Sequence, residues 1–379
     1  MTGPEWERKP LEHVATLQRG FDLPLGQRRP GDIPVIASNG PIGTHDTPMI
    51  KGPGVVTGRS GTIGKVFYYE SDFWPLNTTL YVKNFHGNNP QFVAYLLEHL
   101  GLKRFAASTG VPSLNRNFVH PLQVTIPPLP EQCKIAATLA SADKAVEKTE
   151  CVIEELQSLR RNLFLQLFER GSNLWCINKL GNVAHIQTGI AKGKAPTKLA
   201  IEVPYLRVAN VQDGFLDLRT LKTIRVAPEA IDRYCLRSGD VLFTEGGDAD
   251  KLGRGCVWRD EVTPCLHQNH IFAVRVNTDI LIPEFLSCFG GSPAGREYFL
   301  NCAKQTTNLA SINSSQLKAM PIPIPSLVEQ RRIVGILTRV EELTRAEKEI
   351  RKALLALRSA LANNLLTGKI RGIPGEAPS

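Results

Sequence analysis

In this chain of 379 residues, the stretch that looks most like chemistry is glycine-rich: Gly58-Arg59-Ser60-Gly61-Thr62-Ile63-Gly64-Lys65. A loop that cradles nucleotide phosphates needs four residues between its first glycine and the Gly-Lys pair, then Ser or Thr to hold magnesium. Here the first interval is one residue too long and Val66 follows Lys65, so a nucleotide site is not expected. Two readings stay open. One is a plain glycine turn between strands. The other is a loop whose backbone amides approach DNA phosphate, with Arg59 and Lys65 supplying charge.

A second candidate is Glu245-Gly246-Gly247-Asp248-Ala249-Asp250-Lys251. It offers three carboxylates but no partner acid or base for catalysis. It reads either as a polar loop capped by turns, or as a carboxylate accepting from a cytosine amino group while Lys251 or Arg254 donates to guanine. Cys256, Cys265, His267 and His270 fall close together. They lack the short paired spacing of zinc ligands and lie on or beside an expected strand, so no metal is expected. No Gly-x-Ser-x-Gly, His-Glu-x-x-His, Gly-x-Gly-x-x-Gly after a strand, or Asn-Pro-Pro-aromatic run occurs, and Asn88-Asn89-Pro90-Gln91 is only an echo of the last. The residues therefore point away from catalysis and toward binding.

The elements that would position such loops come in two copies. Ile126-Pro-Pro-Leu-Pro-Glu-Gln-Cys-Lys-Ile135 opens about 35 residues free of Pro and Gly, up to Gly171. Ile324-Pro-Ser-Leu-Val-Glu-Gln-Arg-Arg-Ile333 opens a second run ending near Gly368. Glu131 and Glu329, Gln132 and Gln330, Leu139 and Leu337, Leu163 and Leu361 all stand 198 apart. A fixed register over this length is a duplication. Each copy reads as a helix, roughly 50 Å long at 1.5 Å per residue. Ser326 with Glu329 forms a capping-box pattern, and Pro130 with Glu131 suits a first turn. Ile336, Val340, Leu343, Ile350, Leu354, Leu357 and Leu361 step by four and three, interrupted by Glu347. Thr138, Ala142, Ala145, Thr149, Val152, Leu156, Leu159 and Leu163 do so in the first copy. Such stripes are expected to pack on one another as an antiparallel coiled coil.

The segments before the helices echo each other too. Trp6, Leu11, Val14, Gln18 and Gly20 match Trp175, Leu180, Val183, Gln187 and Gly189 at an offset of 169, and Ser113-Leu114-Asn115 matches Ser311-Ile312-Asn313 at 198. The second segment has thus gained about 29 residues inside a shared framework. Val66–Tyr69, Leu80–Val82, Val124–Ile126 and Ile271–Val274 read as strands, and 91–100 and 283–289 as helices. The fold class expected is α+β, with globule, rod, globule, rod in tandem.

Composition sets the limits. The net charge of +9 suits a polyanionic partner and is spread over both globules and the last helix. No apolar run reaches membrane-spanning length, and the first residues show no apolar leader, so a cytoplasmic protein is expected. Eight scattered cysteines read as reduced and packed.

The tandem plan, with Pro-Leu-Pro-Glu-Gln and Ile-Pro-Ser-Leu-Val-Glu-Gln entering the rods, resembles the specificity subunit of type I restriction-modification systems. The resemblance covers nearly the whole chain, and the Ser-Leu/Ile-Asn elements, Val55–Val66, Val241–Arg254 and His267–His270 share in it. It implies two target-recognition domains, 1–128 and 172–326, with spacer helices at 129–171 and 327–372; the tail at 373–379 reads from its own residues as disordered. Each domain would read one half of a split, asymmetric DNA site. Two methyltransferase subunits carrying S-adenosylmethionine would dock on the chain, with two restriction-translocase subunits optionally joining. The chain itself would bind no cofactor and catalyse nothing. The DNA-facing residues expected are Arg28, Arg29, Asn39, Arg59 and Lys65 in the first domain, and Lys192, Lys194, Asn210, Lys251 and Arg254 in the second. Half-sites one turn apart lie roughly 34–36 Å apart, within reach of such a rod. The alternative is a stand-alone DNA-binding or scaffold protein built from the same parts.

Overall fold

Two helices, Leu129–Ser172 and Leu327–Leu365, run through a computed structural model that describes residues 5–107, 112–172, 175–191, 200–247, 252–302, 304–305 and 310–371. The chain divides into two compact units, each taking one part of both helices: Met1–Glu150 with Glu349–Ser379, and Cys151–Lys348. The second helix begins as its sequence suggests, with Glu329 N–H donating to Ser326 Oγ at 3.3 Å. Only half of the capping box forms, because the Glu329 carboxylate turns to Arg332 instead. Gly368 adopts φ +70° just past its end, a conformation glycine reaches without strain. No helix among the described residues is long and apolar enough to cross a membrane.

In the first unit a four-stranded antiparallel sheet runs Thr16–Arg19, Thr79–Asn84, Gly54–Gly58, Val66–Tyr69. A three-stranded sheet runs Gly40–His45, Ile33–Ala37, Trp74–Pro75, with the last pair parallel. Glu7–Pro10 pairs with Gln123–Ile126 and closes the unit. The second unit repeats this order. Its four-stranded sheet runs Ala184–Thr188, Ile271–Val276, Val241–Thr244, Gly255–Val257. Its three-stranded sheet runs Lys222–Val226, Ile201–Leu206, Leu266–His267, again with a parallel last pair. Cys176–Lys179 pairs with Pro321–Ile324. The duplication therefore extends to topology.

The central strands are buried on both faces because each face meets its own layer. Successive side chains on a strand point to opposite sides. Val55 accordingly joins the cluster under the helix Pro90–His99, whereas Val56 joins Ile36, Phe73 and Tyr81 on the other side. In the second unit Val241 and Phe243 face the helix Pro283–Gly291, and Leu242 faces Leu206 and Trp258. The long helices finish the first of these layers. Ile135, Ala136 and Leu139 from one and Ala362 and Leu365 from the other, with Leu366 just past its end, cover the first unit. Phe164 and Phe168 with Ile333 and Leu337 cover the second. Each such large side chain contributes about 1.5–3 kcal/mol on burial.

Within each unit the two helices run antiparallel. In the first, Arg351 meets Glu150 at 2.7 Å and Arg358 meets Asp143 at 2.9 Å, seven residues forward on one helix and seven back on the other. In the second, Arg160 approaches Glu341 at 3.6 Å. The buried seam differs from the expected stripe by one line. Val340 is buried as expected, but Leu343, Ile350 and Leu357 are 41, 48 and 52% exposed. The line one residue further on, Leu337, Thr344, Arg351 and Arg358, turns inward instead. In the first copy Thr149 is buried as expected, Val152 and Leu159 are likewise exposed, and Val146 and Ile153, one residue past Ala145 and Val152, are buried instead. Exchanging one of the two lines for its neighbour turns the seam by about 50°, and the arginine–carboxylate pairs lie on the new line.

Gln132 and Gln330, the repeated residues at the helix starts, are 2% and 0% exposed. Gln132 Oε1 accepts from Asn89 N, while its Nε2 donates to Asn88 Oδ1 and Pro127 O, at 2.8–2.9 Å. Gln330 Oε1 accepts from Ile282 N, while its Nε2 donates to Ile280 O and Pro325 O, also at 2.8–2.9 Å. Each amide ties a long helix to the start of the short helix in its globule.

Candidate nucleic-acid interface

The glycine loop of the first unit leaves the central strand at Gly58 and is held on three sides. Arg59 N–H and Ser60 N–H donate to Thr78 O, Leu114 N–H donates to Arg59 O, and Gly61 N–H donates to Pro112 O. A Cβ built on Gly58 would lie 1.8 Å from Thr62 O, and one on Gly61 would lie 3.5 Å from Ser38 Oγ. Gly61 and Gly64 have φ of +86° and +97°. The glycines are therefore required by close approach and by left-handed turns. The Ser38–Asn39 turn, the loop and the Ser113-Leu114-Asn115 element meet here.

The expected residues divide accordingly. Asn39 is exposed on its turn beside the loop. Arg59 is partly buried and donates from Nη1 to Asn77 O at 3.0 Å. Lys65 is exposed at the loop's far end, where its carbonyl accepts from Thr57 Oγ1. Lys103 and Arg104 add exposed charge on the short turn Leu102–Phe105. A Cβ on Gly64 would touch Lys103 at 3.1 Å, a neighbour that distance in sequence concealed. Arg28 and Arg29 lie at the opposite end of the Ile33–Ala37 hairpin. Arg29 donates to both oxygens of Asp46, at 2.6 and 3.0 Å. This hydrogen-bonded pairing with Arg29 holds the Asp46 carboxyl at about 2. Its charge is already matched within the chain, and the two arginines do not join the loop cluster.

In the second unit, Lys192, Lys194 and Lys251 lie outside the described residues, as do Asp248 and Asp250. Asn210 is a correction. It is 1% exposed, its Oδ1 accepts from Arg207 N and its Nδ2 donates to Asp217 O. Both ends of the amide help close the 207–217 turn, and its burial leaves it out of reach of DNA. Arg254 is partly buried and donates to Gln212 Oε1 at 3.1 Å. What the candidate set missed is a pair: Glu245 Oε2 stands 2.6 Å from His270 Nδ1. Glu245, Val208, Gly246, His270 and Ser311 line an open cavity of about 360 Å³. The carboxylate was visible in the sequence, but its partner 25 residues away was not.

Cys256, Cys265 and His267 behave as packing groups, whereas Cys133, Cys151 and Cys176 are exposed rather than packed. Burial pushes the Cys256 and Cys265 thiols up to about 12, far from the thiolate that metal binding needs. Burial also pushes His267 down to about 4, against the pull of the nearby Gln187 and Tyr234 main chain. Among the described residues no group of His, Cys, Asp and Glu is arranged to hold a metal ion.

Comparison with known proteins agrees with this organisation. The profile described as "Type I restriction modification DNA specificity domain" matches twice, over residues 4–158 and 173–356. The type I restriction enzyme EcoKI specificity subunit of Escherichia coli (strain K12) is 26% identical over 307 residues, covering 74% of this chain and 65% of that protein. The MjaVIII specificity subunit of Methanocaldococcus jannaschii is 24% identical over 306 residues, covering 74% of this chain and 69% of that protein. The alignment thus spans just under two thirds of the Escherichia coli relative. The crystal structure of a type I restriction-modification system S subunit from M. genitalium shares the fold, with TM-score 0.64 and 16% identity over 96% of this chain and 97% of that one. With both globules and most of both helices matched, the chain belongs to the type I restriction-modification DNA specificity family.

Proposed function

We propose that this chain is the non-catalytic DNA-recognition subunit of a type I restriction-modification complex and acts in the cytoplasm. Each globule reads one half of a bipartite, asymmetric site, and the two long helices set the unread interval. The observation that carries this reading is the double occurrence of one domain, each copy repeating the same strand order with different side chains. Unlike readers in tandem call for an asymmetric target, and linking them raises the effective concentration for the second half-site. Exposed Arg104, Lys103 and Lys65 around the first loop suit phosphate. Leu343, Ile350 and Leu357 leave an apolar line at heptad spacing on the C-terminal helix, which suits helices of two methyltransferase subunits. S-adenosylmethionine would belong to those subunits, and two restriction subunits could complete the assembly.

The test is methylation by the complex of this chain with its cognate methyltransferase subunit. Adenine should be methylated only in duplexes carrying both half-sites. Methylation indifferent to loss of either half-site would sink the reading. Adding about one helical turn to both long helices should change the tolerated gap and leave both half-site sequences unchanged.

A further inference from the structure

Arg59 and Glu245 occupy equivalent positions in the two units. Gly58 pairs with Thr79, and Thr244 pairs with Ile271, at the same place in matching sheets. One residue on, Arg59 N–H donates to Thr78 O at 2.8 Å and Glu245 N–H donates to His270 O at 2.9 Å. Arg59 O accepts from Leu114 N at 2.7 Å, and Glu245 O accepts from Ile312 N at 2.9 Å. Leu114 and Ile312 follow the serines of the repeated Ser-x-Asn element. The backbone is thus fixed alike at both positions, while the side chains carry opposite charge.

We propose that Glu245 is a specificity-determining residue of the second domain: held by His270, its carboxylate accepts from the exocyclic amino group of one cytosine or adenine in the second half-site. This rests on the DNA-reading function proposed above. An ionised carboxylate can only accept hydrogen bonds, and phosphates are themselves anionic acceptors, so the DNA backbone offers Glu245 no favourable partner. In the major groove the donors are cytosine N4 and adenine N6. His270 engages Oε2 and fixes the rotamer, whereas Oε1 has no hydrogen-bond partner among the described residues. The carboxylate is partly exposed, with 27% of the side chain accessible, and faces the open cavity of about 360 Å³. Gly246 beside it has no side chain to obstruct a base edge. Arg59, always a donor, would demand the opposite chemistry at the equivalent place in the first half-site.

The experiment measures equilibrium binding of the methyltransferase complex to duplexes altered one base at a time. Each cytosine of the second half-site is replaced by 2-pyrimidinone, and each adenine by purine, so that only the amino group is lost. The unaltered complex should lose about tenfold or more at one such position. In Glu245→Met, similar in length but without the acceptor, that penalty should fall below about threefold, and Arg59→Ala should leave it intact. The analogue scan on the unaltered complex needs no variant, so a misfolded Glu245→Met does not shield the proposal: no amino-dependent position in the second half-site overturns it. A penalty undiminished in Glu245→Met also overturns it, as does uniform weakening on all sequences, the mark of a scaffold or phosphate role. If the unaltered complex ignores the second half-site altogether, the DNA-reading function fails with it, and that outcome is told apart by its indifference to ordinary base substitutions.

Discussion

The first unit seats Arg59 and the second Glu245 on the same pair of backbone hydrogen bonds, and the same division runs through the rest of the two units. Gln132 and Gln330 share two main-chain contacts, accepting from the N–H that opens the short helix and donating to the carbonyl of Pro127 or Pro325. Gly20 and Gly189 both face carbonyls so closely that a Cβ would lie 2.2 Å from Leu76 O and 2.1 Å from His267 O. Where a side chain faces another side chain, the copies part. The Asp143–Arg358 pair at 2.9 Å recurs with the helices exchanging roles as Glu341–Arg160, but loosened to 3.6 Å. Tyr95, which donates to Asp143, stands where the second unit has Cys288. Pro75 stands where the second unit has His267, as the parallel strand registers show. Residues that bind main chain are constrained by the fold in each copy. Residues that meet solvent, partner or one another need only keep their own neighbours satisfied.

The sharpest way to break this comparison is at the glutamines. Gln132→Leu and Gln330→Leu should each cost about 3–5 kcal/mol, because several buried groups lose their partners at about 1–3 kcal/mol each. Urea unfolding checks this. A cost below about 1 kcal/mol in one unit would show that the copies do not share this lock. The ion pairs should separate the units next. Arg358 bonds both Asp143 and Glu98 and lies over the Tyr95 ring, whereas Arg160 reaches Glu341 only at 3.6 Å. Arg358→Ala should cost about 2–3 kcal/mol and Arg160→Ala less than about 1, read from the same unfolding curves.

Acid should distinguish the units through His267. Its folded value of about 4 lies below the ordinary 6.5, so the unfolded chain takes up the proton first. Stability is full above pH 6.5 and declines as the pH falls toward 4. Between pH 6.5 and 5 the second unit should lose about 2 kcal/mol, seen as earlier hydrogen exchange in its sheet. His267→Phe should remove that slope, and the first unit, with Pro75 there, should keep only the acid dependence of His99 and His120, both lowered by burial. The smallest effect concerns the seam carboxylates. Burial raises the Glu341 carboxyl despite Arg160. Glu341→Gln should therefore leave stability at pH 7 unchanged or slightly higher, and Asp143→Asn, which loses bonds from Arg358 and Tyr95, should lower it by about 1 kcal/mol. Equal thermal shifts from both would erase the distinction.

Much of this was legible in the residues. The 198-residue offset revealed the duplication and both long helices, and the expected strands at Val66–Tyr69 and Val124–Ile126 form as read. The candidate interface was legible only in part. Arg59, Lys65 and Asn39 converge on one loop cluster, but Asn210 is consumed by its own turn, Arg29 by Asp46, and the partnership of Glu245 with His270 had no local signal. Charge and exposure cannot be told apart from a residue's type alone, because one neighbour distant in sequence is enough to engage it.

The sequence by itself determined what repetition and local spacing encode: two copies of one domain, helix lengths, strand placement and the absence of known catalytic patterns. Only the tertiary structure decided which line of each helix is buried and which loop residues are equivalent. Heptad spacing allows neighbouring seams one residue apart, and the choice depends on what the opposite helix presents, here carboxylates for Arg351 and Arg358. Loops of unequal length erase a constant offset, so Arg59 and Glu245 align only through the hydrogen bonds their backbones make with strands far away in the chain.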